Sequence, residues 1–258
     1  MKYKLIISVI VAVCIIISIS ALYQYYAPPK HISPYQLNKG MDTIHIAFIG
    51  DSWAHMHRDH NCKIAKLIED TLHKPTTIHS YGVCGLTSKE IYENIFENND
   101  FKHFLQKRAY KYCIISAGIN DCNKKMGIKN YKTSMDYIIE FFLHNQIRPI
   151  ILEIPDYDIY KAYKDMSPSR KIIRSISMKI TNTPLDCKQM FREALNEVIN
   201  KNEYTNKVSI IRFQLWNSNG EKDIKTMYID DGLHLNEYGY SVLDSVIAKE
   251  ILLVNNDK

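Results

Sequence analysis

The sequence predicts an α/β domain on a parallel sheet, carried behind one N-terminal membrane helix. Three observations predict it. Short apolar runs alternate with longer stretches whose apolar residues recur at helical spacing, the pattern of a parallel sheet covered by helices. The chemistry-bearing residues fall in short loops that follow those runs. The segment Leu5–Leu22, LIISVIVAVCIIISISAL, carries no charge.

The apolar segment comes first in the chain. At 1.5 Å rise per residue it roughly crosses a hydrocarbon core of ~30 Å, with help from its flanks. Its serines can bond back to the helix's own carbonyls. Tyr23, Tyr25 and Tyr26 follow at the far edge, where amphipathic rings favour the interface. Lys2 and Lys4 lie on the short N-terminal side, so the N-terminus is expected in the cytoplasm and the remainder outside it, in the periplasm or cell exterior. A retained signal anchor is the first reading, because the run is longer than the ~7–15 residues of a cleaved apolar region. A cleaved secretory signal is the alternative, with Ser18-Ile19-Ser20 before Ala21 as a small-x-small site. Val13 before Cys14 speaks against a lipoprotein. Residues 1–22 are thus expected as stub and span. Residues 23–41, with Pro28, Pro29, Pro34 and Gly40, are expected as an extended tether, and 42–258 as the catalytic domain.

Within the domain, Ile44–Ile49 reads as a strand and Cys62–Leu72 as a helix. Thr76–Tyr81 is a short β-rich run and Ser88–Phe96 a helix. Tyr112–Ala117 is a buried strand. Tyr131–Asn145 is a helix with Met135, Ile138, Ile139 and Phe142 on one face. Arg148–Ile154 is a strand closed by Pro155, Cys187–Asn200 a helix, Val208–Phe213 a strand and Glu237–Leu253 the last helix. Pro155–Pro184 is long, basic and tyrosine-rich, with Tyr157, Tyr160 and Tyr163. It reads equally as a lid or acidic-polymer surface and as a solvated helix with its loops.

Composition narrows the function classes. Lys+Arg 33 against Asp+Glu 28 leaves +5, with no long basic run, so no nucleic-acid partner is expected. A 46% hydrophobic, 24% charged chain is not disordered. Outside the span there are five cysteines, Cys62, Cys84, Cys113, Cys122 and Cys187. An odd number does not suggest a disulfide framework, and no CxxC pair suggests structural zinc. Cys113 is expected as a buried small hydrophobe. Cys84 and Cys122 flank the motif loops and are a pair that an exported domain could bridge. His55, His57 and His60 crowd together without clear ligand geometry, so a solvated or substrate-facing loop is expected there rather than a metal.

Four loops can meet at the carboxyl edge of the sheet. They read Gly50-Asp51-Ser52-Trp53, Tyr81 to Ser88, Gly118-Ile119-Asn120-Asp121 and Asp231-Gly232-Leu233-His234. Acyl transfer needs a nucleophile, a base, an acid to orient the base, and donors for the oxyanion. Ser52, His234 and Asp231 supply the first three. The N–H groups of Ser52 and Gly85 and the Asn120 amide are candidate donors, with Gly82 as the alternative to Gly85. No G-x-S-x-G elbow is present, which excludes an ordinary α/β-hydrolase.

This set resembles the SGNH hydrolases, also called GDSL-type lipases and esterases, in motif order from about residue 44 to about 250. The resemblance implies a three-layer α/β/α flavodoxin-like sandwich with a five-stranded parallel sheet and no cofactor. It implies Ser52, Gly85, Asn120 and His234 as the four named residues, with Asp231 completing the triad. Trp53 stands where the family has Leu, which puts pocket shape in question. Trp53, Asp121 and His55 are the expected substrate contacts.

The expected activity is a membrane-tethered serine esterase acting on an O-acyl group, acetyl by first choice, of an envelope or capsular glycan. An O-acyltransferase onto a glycan hydroxyl, a lipase or thioesterase, and a non-catalytic glycan-binding protein are the alternatives.

Overall fold

A computed structural model describes residues 2–40, 42–58 and 62–256. Five strands, β1 Ile44–Gly50, β2 Thr76–Gly82, β3 Tyr110–Ser116, β4 Arg148–Leu152 and β5 Ser209–Ile211, form one sheet. All neighbours are parallel, in the order β2-β1-β3-β4-β5. That is the flavodoxin-like order, with its topological switch point between β1 and β3. Twelve α-helices accompany it among the described residues: α1 Lys2–Tyr26, α2 Ser52–His57, α3 Ile64–Leu72, α4 Ser88–Glu97, α5 Asn99–Gln106, α6 Ile119–Lys124, α7 Ile128–His144, α8 Ile159–Lys164, α9 Pro168–Thr181, α10 Lys188–Ile199, α11 Glu221–Met227 and α12 Glu237–Asn256.

Burial follows position in the sheet. Central β1 and β3 are apolar on both faces, and Ile46, Ala47, Phe48, Cys113, Ile114 and Ile115 are wholly buried. Cys113 is thus the buried small residue expected. Edge strand β2 is only half-buried, and its sequence is correspondingly polar. The helices α2, α6, α8 and α11 are short and were not visible as periodic stretches. Six or seven residues do not hold enough turns to show a period. Each lies on the loop side of a strand end or within the basic segment, where it aims a loop instead of building core.

Among the described residues one helix, α1, is long and apolar enough to cross a membrane by length and composition. This helix runs on to Tyr26, four residues beyond the expected span, and the segment that follows has no helix or strand over 28–40 and is strapped to the domain. The Ile32 N–H donates to the Tyr92 hydroxyl at 2.7 Å, and Tyr35 donates to the Ile95 carbonyl at 3.0 Å. Asn145 accepts from the Leu37 N–H at 2.7 Å and donates to the Tyr35 carbonyl at 3.0 Å. The physical reason is the apolar content of the strap: Leu37 is buried, and Ile32 and Tyr35 pack on the core.

Candidate active site

The site is built at the carboxyl ends of β1 and β3. Asp51 caps α2 by accepting from the Trp53 N–H at 3.0 Å, which makes Ser52 the first residue of that helix. The first N–H groups of a helix, that of Ser52 among them, have no intrahelical acceptor. Asp231 and His234 come from a small hairpin. Tyr228 bridges Leu235 in antiparallel fashion, the Ile229 N–H donates to the His234 carbonyl at 2.9 Å, and Asn236 donates to Met227 at 2.8 Å. At its tip the Asp231 carboxylate accepts from the N–H groups of Leu233 and His234 at 2.8 and 2.9 Å.

These two pieces meet. Ser52 Oγ lies 2.8 Å from His234 Nε2, and His234 Nδ1 lies 2.6 Å from Asp231 Oδ2. The predicted Ser–His–Asp set is therefore brought into one hydrogen-bonded chain. Burial pushes the Asp231 carboxyl up, but the hydrogen bonds from the His234 ring, the His234 N–H and the Leu233 N–H outweigh it. The carboxyl ends below its ordinary value. An ionised Asp231 facing Nδ1 fixes the ring with its lone pair on Nε2, toward Ser52, which is the arrangement a general base needs.

The glycine candidates separate cleanly. Gly82 ends β2 against the backbone of α2, where a Cβ would lie 2.3 Å from the His55 nitrogen and 2.4 Å from the Asp51 carbonyl. It is a close-approach glycine. Gly85 has φ +83°, and a Cβ there would meet nothing within 4 Å. It stands open on a cleft of about 640 Å³ that Asn120 also lines. The Asn120 amide faces two acceptors, the Leu86 carbonyl at 3.0 Å and Asp51 Oδ2 at 3.3 Å. Donation to an oxyanion requires the longer of these contacts to yield.

Of the three expected substrate contacts, Trp53 and Asp121 are buried and His55 is half-buried. Trp53 is 1% exposed, packed edge-on to Trp216, Tyr228 and Tyr240, so it offers no surface to a substrate. Its Nε1–H instead donates to the Leu233 carbonyl at 3.2 Å, and its own carbonyl accepts from Tyr240 at 3.1 Å. It holds the nucleophile's helix to the histidine hairpin, which a leucine cannot do by hydrogen bond. Asp121 is wholly buried and accepts from the Ser88 N–H at 2.8 Å and hydroxyl at 2.6 Å, tying α6 to the start of α4. His55 is half-buried, with Nδ1 facing the Gly82 carbonyl at 3.0 Å and Nε2 facing Arg58 at 3.2 Å.

The other flagged groups also disperse. His57 is buried between Ser80 and Asp244, with Nε2 at 2.8 Å from Asp244, and it shares that place with Cys62. His60 lies outside the described residues. Cys122 is buried against Cys187, with Sγ atoms 2.8 Å apart, whereas Cys84 is exposed. Cys84 and Cys122, which an exported domain could have bridged, are thus not neighbours, and Cys122 lies instead beside Cys187, 65 residues away in the chain. Of the tyrosines, Tyr157 is core, donating to Asn123 at 3.0 Å, while Tyr160 is exposed.

Sequence reasoning missed Asp51 as an organiser. It accepts from Trp53, from Ser116 at the end of β3 at 3.0 Å, and from Asn120. Burial pushes its carboxyl up to about 6, against the lowering effect of the Trp53 and Ser116 hydrogen bonds and of His234. Burial also pushes Asp121 up to about 6. The only sequence signal was the acid of the G-D-S turn.

The GDSL-like lipase/acylhydrolase family matches residues 48–242. Among curated protein sequences none matches. Similar solved structures include a lipase/acylhydrolase from Enterococcus faecalis, at 14% identity and TM-score 0.55 over 81% of this chain and 95% of that one. A psychrotrophic esterase from Pseudoalteromonas sp. aligns at 15% identity and TM-score 0.54 over 84% and 100%. An acetylxylan esterase from Geobacillus stearothermophilus aligns at 14% and 0.52 over 84% and 96%. The chain belongs to the GDSL-like lipase/acylhydrolase family.

Proposed function

We propose that this family member is a membrane-tethered serine esterase that removes an O-acyl group, acetyl by first choice, from an envelope or capsular glycan. The observation that carries the chemistry is the chain Ser52 Oγ–His234 Nε2 and His234 Nδ1–Asp231 Oδ2, at 2.8 and 2.6 Å. Ser52 attacks the ester carbonyl while His234 takes its proton, and Asp231 holds the ring and stabilises the imidazolium. The tetrahedral oxyanion forms against the N–H groups of Ser52 and Gly85 and the Asn120 amide, each such donor contributing about 2.7–4 kcal/mol in the transition state. His234 then protonates the leaving alcohol, and water resolves the acyl-enzyme. No metal or organic cofactor enters these steps.

Location supports the glycan assignment. An apolar helix with Lys2 and Lys4 at its N-terminal end favours an anchored domain outside the cytoplasm, where it would meet envelope polymers. The shared fold with an acetylxylan esterase is compatible with a sugar ester but does not identify it. The test is acetate release from an O-acetylated glycan by the full chain in vesicles. Wild type is expected to release acetate and Ser52→Ala not to. Equal release by both removes the assignment.

A further inference from the structure

Helix α9 has its polarity reversed. Ile172, Ile176 and Ile180 are between 49% and 63% exposed, whereas Arg174 and Ser177 are buried and Ile173 lines the cleft beside them. At helical spacing the three isoleucines fall within an arc of about 80°. A helix that turns isoleucines outward and an arginine inward is not folded for water on its outer face.

The N-terminal helix says what lies there. Its last turns end against α9, where the Tyr26 hydroxyl bonds the Ser177 hydroxyl, and Ile180 shares a groove with Ile19, Leu22 and Tyr23. The joint is pinned. Lys89 Nζ donates to the carbonyls of Gln24 at 2.7 Å and Ala27 at 2.9 Å, and Asn130 donates to Ala27 at 3.0 Å. These donors satisfy carbonyls that a helix end leaves open, so span and domain are held in one orientation. Ile180 is therefore level with the final two turns, within ~10 Å of the span's end. That is the depth at which amphipathic helices lie in the headgroup and acyl boundary, ~5–10 Å. Lys179 borders the stripe with positive charge, which suits an anionic membrane surface.

The inner face of the same helix completes the cleft that begins at Gly85 and Asn120. Arg174, Arg170 and Lys124 line it beside Tyr25 and Leu22 of the span. Arg174 is 9% exposed, and its Nη1 is buried without a hydrogen-bond partner. A buried guanidinium nitrogen left open in a cleft calls for an anion, and guanidinium suits phosphate.

We infer that α9 lies in the surface of the bilayer that holds the span, and that the cleft takes its ester from a glycan joined through a phosphate to a lipid of that bilayer, with Arg174 as the phosphate's partner. The substrate half of this inference rests on the esterase reading. The docking half does not.

The test uses the full chain in phosphatidylglycerol–phosphatidylcholine vesicles. Trp53 and Trp216 are buried and supply a constant background for an added tryptophan. Ile176→Trp is expected to gain emission that brominated lipid quenches. Leu253→Trp, exposed on α12 near the amino ends of the strands, is expected to resist quenching. Equal resistance at position 176 overturns the docking, including the case in which a second copy of the chain covers the stripe. The second arm compares an O-acetylated glucosyl dodecyl phosphate with the uncharged O-acetylated dodecyl glucoside in the same vesicles. Arg174→Gln is expected to lower the anionic-to-neutral ratio of kcat/KM at least tenfold through KM, and Arg174→Lys to recover part of it. An unchanged ratio in both variants overturns the phosphate assignment. Absence of p-nitrophenyl acetate hydrolysis by wild type would instead remove the esterase reading, and the quenching arm would still decide the docking.

Discussion

Two walls of the molecule are unlike. One, which carries the nucleophile, consists of α2 and the hairpin of Asp231 and His234. Trp53, Tyr240 and Leu235 are buried behind it, and the Trp53 Nε1–H ties both parts together by its bond to the Leu233 carbonyl. The other wall is α9, which turns its isoleucines out and Arg174 in. Helix α7 shows the usual sense, with Tyr131, Met135, Ile138, Ile139 and Phe142 packed inward. The difference teaches that the first wall is specified by the protein's own core, whereas the second answers to a phase outside the protein. Substitutions in the first should break chemistry or stability, and substitutions on the outer face of the second should break neither.

The largest effect is expected from Asp231→Asn. The amide presents a donor where His234 Nδ1–H needs an acceptor, so the ring adopts the wrong tautomer. Turnover of a p-nitrophenyl ester should fall by about 10³–10⁴-fold with little change in the thermal transition, by analogy with the serine-protease triad. A loss below tenfold would mean that the hairpin acid is not the ring's orienter.

Next comes Trp53→Ala, which empties a fully buried indole site and should cost about 3–5 kcal/mol in chemical denaturation. Trp53→Phe keeps most of the volume and loses the bond to Leu233, so about 1 kcal/mol is expected. Equal costs for the two would make volume irrelevant to this wall.

A pH titration of stability reads the same wall through Asp51 and Asp121, both pushed up to about 6 by burial. An unfolded aspartate titrates near ~3.9, so between about pH 4 and 6 the folded chain keeps protons that the unfolded chain has released. Stability from these groups is therefore full below about pH 4 and falls as pH rises toward 6 and just beyond, by on the order of 1–3 kcal/mol per group. Asp231 works in the opposite sense, its contribution being lost as pH falls through its depressed value. Urea midpoints from pH 4 to 7 should decline, and Asp121→Asn should flatten the slope. Midpoints that rise over this range would contradict the burial argument.

The smallest effect belongs to the outer wall. In detergent solution, Ile172→Ser and Ile176→Ser should each move stability by no more than about 0.5 kcal/mol. Ile138→Ala in α7 should cost about 2–5 kcal/mol. A large loss at Ile176 would show that protein, not lipid, covers the stripe.

Much of this architecture was readable in the residues. Strands such as Ile44–Gly50 and Tyr110–Ser116 announce themselves because a strand buried on both faces must be apolar throughout. The four loops were readable because acyl transfer restricts residue type. Periodicity shows that Ile172, Ile176 and Ile180 share a face, but not which way that face points. That depends on the span to which the helix is pinned. Trp53 looked like a pocket residue because sequence gives a side chain's type and not its burial. Cys187 beside Cys122, and Asp244 beside His57, join positions far apart in the chain, which local pattern does not connect.

Labelling by a fluorophosphonate tests the central claim most directly, because the reagent requires a serine activated by its base. In the full-length protein, peptide mass spectrometry should place the adduct on Ser52, with none in Ser52→Ala and much slower labelling in His234→Ala. An unlabelled wild type, or an adduct that persists in Ser52→Ala, would contradict the Ser52–His234–Asp231 account.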